Sequence, residues 1–319
     1  MKINVKVALA FVGLGIFVVY PLTNPPPYLF YLLILVFTDV LVVIGLNLLV
    51  GYGGIFHISP AIFIGVGGYA AGWLSVNARL NPFITIGVGG AVAVVASLMF
   101  SLVSTRVKGF YMAVYSVIFT LLLGVLVIQP EPAIIYLTGG PFGISKIPDI
   151  TLAGVSFRDF AGMPYYYLAL GILAVAFVLV YRLVGSRYGL ALRSLRDGEM
   201  YSSTLGVDAL RIKVYIFAIS SFMMGISGGL TGHFLGAFGQ SIFSFRELLH
   251  FNFEMVVGGL GTFVGPIIGA ITINLLNESL AYWGAWLLLA KGLIVVLFLL
   301  YMPKGLMGKI EEKIASRKK

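Results

Sequence analysis

The segment Gly185–Lys213, GSRYGLALRSLRDGEMYSSTLGVDALRIK, is a charged stretch in the middle of a chain that is otherwise apolar. Its basic residues outnumber its acidic ones: Arg187, Arg193, Arg196, Arg211 and Lys213 against Asp197, Glu199 and Asp208. A solvated segment of this length is typical of a surface that a partner in water binds. We therefore predict a docking surface at 185–213, the alternative being a solubilising loop whose charges only set topology.

The composition places the rest of the chain in a lipid bilayer. Of the 319 residues, 60% are hydrophobic and 10% are charged, and the mean hydropathy is +1.03. Soluble domains carry about 25% charged residues, so a soluble protein is excluded. The chain has no cysteine, which excludes disulfides, thiolate metal ligands and thiol catalysis.

Apolar segments long enough to cross a membrane recur along the whole chain. A crossing helix needs about 20 apolar residues, and the alternating pattern of a transmembrane barrel is missing. The sequence predicts one all-α, polytopic membrane domain over residues 1–319, with about eight crossing helices plus one broken or re-entrant element. The candidate spans are Val7–Leu22, Leu29–Val50, Pro60–Val76, Phe83–Val103, Phe110–Ile128, Tyr165–Val184, Val214–Phe234, Phe253–Leu276 and Trp283–Met302.

Basic residues cluster beside the apolar spans, so we interpret the net charge of +9 as a topology signal rather than as nucleic-acid binding. The segment 129–164 carries mixed charges and is predicted to be an external loop. Both termini are predicted to be cytoplasmic, and the first span is expected to be uncleaved because no small-residue cleavage pattern follows it. The cytoplasmic groups are Lys2 with Lys6, Arg106 with Lys108, the segment 185–213 and the basic tail 303–319.

The number of crossings between two cytoplasmic segments must be even, and this singles out one span as irregular. Three candidate spans lie between the segment 185–213 and the tail, so one of them does not cross. Phe253–Leu276 is the best candidate, because glycine costs about 1 kcal/mol and proline about 3 kcal/mol in a helix interior. We predict that it breaks into two short helices that dip into the membrane and line a path. Its helix-breaking residues are Gly258, Gly259, Gly261, Gly265, Pro266 and Gly269.

Glycines recur at every fourth position in three places. Small residues at this spacing let helix backbones approach closely in lipid. We expect tight packing within the chain, with a subunit interface along one of these ladders as the alternative. The ladders are Gly228, Gly232 and Gly236; Gly261, Gly265 and Gly269; and Gly68 with Gly72.

Three ionisable residues, Asp39, Glu254 and Lys291, are predicted to lie inside the membrane. A charge there costs about 2.5–3.5 kcal/mol on insertion scales, so such residues pair or face water. We predict that Lys291 is neutralised by Asp39, Glu254 or Glu278. The group forms either a substrate or proton route or an ion pair that fixes helix register. Three amides are predicted to hydrogen-bond between helices: Asn47, Asn274 and Asn277.

The sequence contains no recognisable motif of an enzyme or of a metal site. His57, His233 and His250 are far apart and lack the H-E-x-x-H spacing, so no metal site is predicted. The string Gly225-Ile226-Ser227-Gly228 is only superficially similar to a G-x-S-x-G elbow. The G-x-x-x-x-G-K-[ST] loop is absent, which argues against ATP hydrolysis by this chain. Its energy source would be a gradient or a partner chain.

Four motifs, in order and with matching spacing, carry a resemblance over nearly the whole chain. They are GLNLLVGYGG at Gly45–Gly54, RSLRDGE…LGV from Arg193 to Val207, VVGGLGTFVGPIIGA at Val256–Ala270 and MPKGLMG at Met302–Gly308. With these motifs the chain resembles the permease subunits of bacterial and archaeal branched-chain amino acid ABC transporters, the LivM-like group.

The resemblance implies a permease subunit of an ATP-driven importer for branched-chain or related amino acids in a prokaryotic cytoplasmic membrane. A second permease subunit, homologous or identical, would complete the membrane core, and two cytoplasmic ATPase subunits would bind beneath it. An extracytoplasmic substrate-binding protein would deliver the ligand. ATP and Mg²⁺ would bind to the ATPase subunits, so no cofactor is expected in this chain.

The resemblance also implies which residues couple to the ATPase. The family motif R-D-N-E-x-A-A-x-x-x-G corresponds to Arg196, Asp197, Gly198, Glu199, Tyr201, Ser202 and Gly206, with Tyr201 and Ser202 in place of the alanines. The segment 185–213 is then the cytoplasmic coupling loop. Its expected ATPase-coupling residues are Arg193, Arg196, Asp197, Glu199, Tyr201 and Gly206.

A translocation path or gate is expected in the glycine-rich segments, because an uncharged or zwitterionic ligand suits glycine backbone and amide groups. The expected residues are Asn47, Gly51, Gly53, Gly54, Gly258, Gly259, Gly261, Gly265 and Pro266. A gradient-driven secondary transporter is the alternative, and inverted repeats are typical of it. A membrane enzyme acting on lipid phosphates would need clustered acids or histidines, which the sequence does not indicate.

Overall fold

The structure is a computed structural model of the full chain. It describes residues 15, 17–23, 25–107, 109–152, 155–158, 162–198, 208–280, 282, 284, 286–302 and 305–309.

The described residues are mostly helical, as predicted. The helices are α1 Pro27–Asn47, α2 Ala61–Val76, α3 Pro82–Arg106, α4 Phe110–Val127, α5 Pro132–Thr138, α6 Met163–Val184, α7 Arg187–Asp197, α8 Ala209–Leu235, α9 Phe245–Gly258, α10 Gly265–Ser279 and α11 Trp286–Tyr301. Two antiparallel pairs of two-residue strands depart from the all-α prediction. They are β1 Ile144–Ser145 with β4 Ala237–Phe238, and β2 Thr151–Leu152 with β3 Val155–Ser156.

Six helices in the described ranges are long and apolar enough to cross a membrane. The helix α2 is apolar but has only 16 residues. The first predicted span, Val7–Leu22, lies mainly outside the described residues, so the count of about eight crossing helices stays a prediction. The six are Pro27–Tyr52, Pro82–Arg106, Phe110–Val127, Met163–Val184, Ala209–Leu235 and Leu289–Lys309.

Local sequence signals define where several helices begin. Pro82 takes the first position of α3, where a proline is tolerated, and the Asn81 side chain accepts a hydrogen bond from Phe83 N at 2.9 Å. The Asp208 carboxylate caps α8 by accepting from Arg211 N at 3.2 Å. Both caps satisfy backbone N–H groups that the first helical turn leaves unpaired.

The centre of the bundle is α8, which packs against α1, α2 and α3. Glycine makes these approaches possible, because a Cβ on Gly225 would lie 3.0 Å from Gly90 Cα and one on Gly228 would lie 3.0 Å from Gly68 N. The prediction that the ladders at Gly228 and Gly68 serve packing within the chain is therefore confirmed.

The segments predicted to lie on opposite sides of the membrane meet opposite ends of α8. At its start, Lys213 Nζ donates to Ser104 O at 2.9 Å, close to the end of α3. At its other end, Gly236 O accepts from Ile147 N at 3.0 Å, in the segment 129–164. The 27 residues of α8 span about 40 Å. We call the two ends of the bundle the Lys213 end and the Gly236 end.

The predicted break within Phe253–Leu276 is present. The helices α9 and α10 are separated by residues 259–264, where Gly259 and Gly261 have φ values of +112° and +69°. Residues other than glycine rarely adopt such backbone angles. Pro266 then stands in the first turn of α10, where its missing N–H does no harm. The irregular segment therefore folds as a helical hairpin with its tip at 259–264.

Contacts place the tip and the open ends of this hairpin at different ends of the bundle. The strand β4, which precedes α9, pairs with β1 of the segment 129–164. Glu278, near the end of α10, accepts a hydrogen bond from Tyr28 at the start of α1. The tip instead packs beside the far end of α1, because a Cβ on Gly51 would lie 2.9 Å from Gly261 Cα. This geometry is that of a re-entrant hairpin.

Single-cysteine labelling should place both ends of the hairpin on one side of the membrane. The natural chain has no cysteine, so Ser241→Cys, before the hairpin, and Tyr282→Cys, after it, report on one position each. Both residues are exposed. We expect an impermeant maleimide added outside intact cells to label both and to miss Arg193→Cys on α7. Labelling of Ser241→Cys and Tyr282→Cys from opposite sides would contradict the re-entrant hairpin.

Candidate functional site

The first part of the basic segment 185–213 folds as a short amphipathic helix, α7. Its N-terminus is capped by Ser186 Oγ, which accepts from Tyr188 N at 3.2 Å, and it ends before Gly198. Gly189 and Leu192 are buried on one face, whereas Arg193 is exposed on the other. The helical spacing of the charges therefore predicted the local structure correctly.

The C-terminal end of α7 lies against two glycine-rich segments. Arg196 Nη1 donates to Gly51 O at 2.9 Å. A Cβ on Gly54 would lie 2.8 Å from Arg196 Cγ, and one on Gly261 would lie 3.1 Å from Arg196 Nη1. A single arginine side chain thus touches both the end of the first described span and the tip of the hairpin.

The residue that joins these two glycine segments is Asn47. It is 3% exposed and is the last residue of α1, directly before a π-helical turn at Leu48–Tyr52. Its Oδ1 accepts from Gly261 N at 2.8 Å, and its Nδ2 donates to Thr262 O at 2.8 Å. The Asn47 amide therefore satisfies two backbone groups that the break in the hairpin leaves without helical partners.

We call the meeting point of Asn47, Gly51, Arg196 and Gly261 the tip junction. It joins α1, α7 and the hairpin in one hydrogen-bonded group at the Lys213 end. π-Helical turns occur frequently at functional sites. A displacement of α7 would be transmitted directly to the hairpin tip through these contacts.

A cavity of about 250 Å³ opens beside the tip junction. Gly53 and Gly54 line it together with the basic residues Arg196 and Lys213, and Phe56, which also lines it, is half exposed. The lining residues are Gly53, Gly54, Ile55, Phe56, Ser104, Val107, Gly109, Met112, Leu195, Arg196, Gly198 and Lys213.

The predicted site residues fall into three groups in the structure. Four are buried at the hairpin tip or directly beside it: Gly258, Gly259, Gly265 and Pro266. Gly53 is buried beside the tip junction. Arg193 and Asp197 are exposed on α7, with Asp197 Oδ1 3.8 Å from Arg196 Nε. Glu199, Tyr201, Ser202 and Gly206 lie outside the described residues.

A second group of polar side chains lies within the bundle, between α1 and the hairpin. His250 Nε2 lies 3.4 Å from Asp39 Oδ2 and 3.2 Å from Glu254 Oε1. Asn274 Nδ2 donates to the same two oxygens at 3.1 and 2.8 Å. We call Asp39, His250, Glu254 and Asn274 the carboxylate cluster.

The carboxylate cluster bears on two sequence predictions. Lys291 is 5% exposed and lies close enough to Glu254 and Asp39 for their charges to act on it, while the His250 ring lies within 3.4 Å of both carboxylates. The neutralising partner of Lys291 stays a prediction. The spacing of the histidines predicted no metal site, but Asp39, His250 and Glu254 come together in a geometry that could hold a metal ion. The four-residue spacing of His250 and Glu254 places both on one helix face and was the available signal.

The helices that can cross a membrane and the helical hairpin among them define an integral membrane protein. Residues 28–302 match the model of a family described as branched-chain amino acid transport system / permease component. The chain therefore belongs to this permease family, which confirms the resemblance drawn from its motifs.

Similar proteins carry the names of permease subunits. The chain is 27% identical over 285 residues to the high-affinity branched-chain amino acid transport system permease protein LivM of Escherichia coli, covering 83% of this chain and 66% of that protein. It is 26% identical to a probable LivM of Methanocaldococcus jannaschii, covering 82% and 83%. A probable LivH of the same archaeon is 26% identical over 158 residues, 43% of this chain and 49% of that protein. No solved structure matches the chain.

Proposed function

We propose that the chain is the membrane-spanning permease subunit of an ATP-driven importer for branched-chain or related amino acids. It would form the translocation path together with a second permease. The two similar proteins of Methanocaldococcus jannaschii, named LivM and LivH, support a pairing of two different but related chains. The chain covers about two thirds of the Escherichia coli relative, and the activity is proposed on the part that they share.

The observation that carries this proposal is the hydrogen bond from Arg196 to Gly51 O, within the tip junction. The segment 185–213 would bind in water to one of two cytoplasmic ATPase subunits, which bind ATP with Mg²⁺ and hydrolyse it. Movement of those subunits would displace α7 as a rigid lever. Because Arg196 touches both Gly51 and Gly261, displacement of α7 would shift the hairpin tip against α1.

The orientation follows from the same proposal. The Lys213 end carries α7 and the basic groups, and it would face the cytoplasm of a prokaryotic cell with both termini on that side. The Gly236 end carries the segment 129–164 and would face the extracytoplasmic binding protein. Alternating access would then consist of opening the path at one end while the other closes.

Co-purification and reconstitution would test the proposal. An affinity-tagged chain extracted from native membranes in mild detergent should bring down an ATPase and a second permease, identified by mass spectrometry. Proteoliposomes holding that complex, with ATP inside and binding protein supplied at the opposite face, should take up leucine. The same vesicles without ATP are the control. Uptake by the chain alone, driven by an ion gradient, would contradict the proposal and favour a secondary transporter.

A further inference from the structure

Three side-chain atoms that can ligate a metal ion meet at one point between α1 and α9. The ligating atoms of Asp39, His250 and Glu254 all lie within 4.8 Å of one another. Glu254 is fully buried, and its Oε2 has no hydrogen-bond partner among the described residues. Burying an ionised carboxylate costs several kcal/mol unless it is paired, so a cation bound at this oxygen would lower that cost.

The separations within the cluster fit an ion better than direct hydrogen bonds. Charge-assisted N–H···O bonds are about 2.7–2.9 Å long, whereas His250 Nε2 lies 3.4 Å from Asp39 Oδ2 and 3.2 Å from Glu254 Oε1. Ligand atoms about 2.0–2.1 Å from a tetrahedral ion are about 3.3–3.4 Å from each other. The separation of 3.4 Å matches this edge length, the one of 3.2 Å is slightly shorter, and all three ligand atoms lie within 4.8 Å of one another.

The local charge also fits a divalent cation. The other charged neighbours of Glu254 are Lys291 and Glu247, whose charges offset each other. Because a metal ion binds the neutral imidazole, its binding releases the proton of His250, and the Asp39 and Glu254 carboxylates then leave two negative charges in a buried place. A dication between them makes the group neutral, which lowers the cost of burial.

Neighbouring amides are placed to orient the three ligands. Asn274 Nδ2 donates to Asp39 and to Glu254, and so holds both carboxylates in position. Asn277 Nδ2 lies 3.4 Å from His250 Nδ1, while its Oδ1 is buried and has no partner among the described residues. With that amide rotated by 180°, Oδ1 accepts the proton of Nδ1 and leaves Nε2 free to bind a metal. Histidines that bind metal ions generally donate their other ring N–H to a neighbouring acceptor in this way.

We propose that Asp39, His250 and Glu254 form a binding site for a divalent transition-metal ion of the Zn²⁺ type. One imidazole and two carboxylates, without sulfur, suit this class of ion. Because Asp39 belongs to α1 and the other two ligands to α9, the ion ties the re-entrant hairpin to the first described span. The site is separate from the tip junction and does not depend on the proposed transport function.

Metal content and metal-dependent stability test this site. The full chain, purified in detergent and dialysed against Zn²⁺ and then against metal-free buffer, should retain about one ion per chain by mass spectrometry. X-ray absorption should show only N and O ligands at about 2.0–2.1 Å. Removing the ion with a chelator should lower the apparent Tm, and added Zn²⁺ should restore it. No retained metal and a Tm indifferent to Zn²⁺ would overturn the proposal.

Matched variants separate metal binding from folding. Glu254→Gln should lose the retained ion, whereas Glu278→Gln, on the same hairpin but outside the ligand set, should keep it. Asn277→Ala should weaken Zn²⁺ binding about 10- to 100-fold, the usual effect of removing the group that orients a histidine ligand. If Glu254→Gln fails to fold, the Zn²⁺ titration of Asn277→Ala still tests whether the ion binds at this cluster. Equal Zn²⁺ affinity in Asn277→Ala and the natural chain, with full metal content in Glu254→Gln, would show that the ion binds elsewhere.

Discussion

Replacing Gly51 by alanine should prevent the tip junction from forming. A methyl group there would lie 2.9 Å from Gly261 Cα and still closer to Gly261 N and to the Asn47 Oδ1 atom that accepts from it. Overpacking a close-packed site costs about 1–3 kcal/mol, and each hydrogen bond lost from a buried group adds about 1–3 kcal/mol. We therefore expect Gly51→Ala to lower the free energy of unfolding by at least about 3 kcal/mol.

The measurement is the apparent Tm of the detergent-solubilised chain, followed by size-exclusion chromatography after heating. Gly87→Ala is the matched control, because a Cβ on Gly87 meets no atom within 4 Å and the residue also lies in a membrane helix. Replacing a helical glycine with alanine in open space should raise stability by up to about 1 kcal/mol. Equal Tm values for Gly51→Ala and Gly87→Ala would show that the two segments do not touch at Gly51.

The break in the hairpin and the helix α7 could both be predicted from the sequence. Local rules of helix chemistry identified the break at 259–264, because glycine and proline disfavour a helix whatever lies around them. The charge pattern likewise predicted the helix α7. Both predictions depend on the residues of one segment, and both agree with the structure.

Long-range pairings could not be predicted from the same information. Arg196 and Gly51 are 145 positions apart, and Asn47 and Gly261 are 214 apart. Their contacts depend on how three helices pack, which no local pattern specifies. The same reason explains why the contact of His250 with Asp39 and Glu254 was not predicted, because it too depends on how α1 and α9 pack.

The fold also gives the tip junction a mechanical property that its residues lack singly. Asn47 binds two consecutive residues of the hairpin tip through Gly261 N and Thr262 O, and so fixes the tip to the end of α1. The carboxylate cluster connects the same hairpin to α1 within the bundle. The hairpin is thus attached to α1 at two points, at the tip junction and at the carboxylate cluster.

Arg196→Ala should separate ATP hydrolysis from transport in the assembled complex. The substitution removes the hydrogen bond to Gly51 O and the contact with Gly261, but it leaves the backbone of α7 intact. A hydrogen bond from a charged group contributes about 1.5–3 kcal/mol, and each 1.4 kcal/mol is a factor of ten, so leucine uptake should fall about 10- to 100-fold. ATP hydrolysis by the bound ATPase subunits should persist.

Arg187→Ala is the matched control for this substitution, because Arg187 is exposed at the other end of the same helix and also carries a positive charge. It should leave uptake within about twofold of the natural chain, since surface substitutions usually change stability by no more than about 0.5 kcal/mol. Uptake and ATP hydrolysis are measured on the same proteoliposomes, and their ratio is the result. If Arg196→Ala lowers both rates in proportion, Arg196 serves to bind the ATPase rather than to transmit its movement. If neither rate changes, the contact with Gly51 carries no force, and the coupling path must run through another part of the chain.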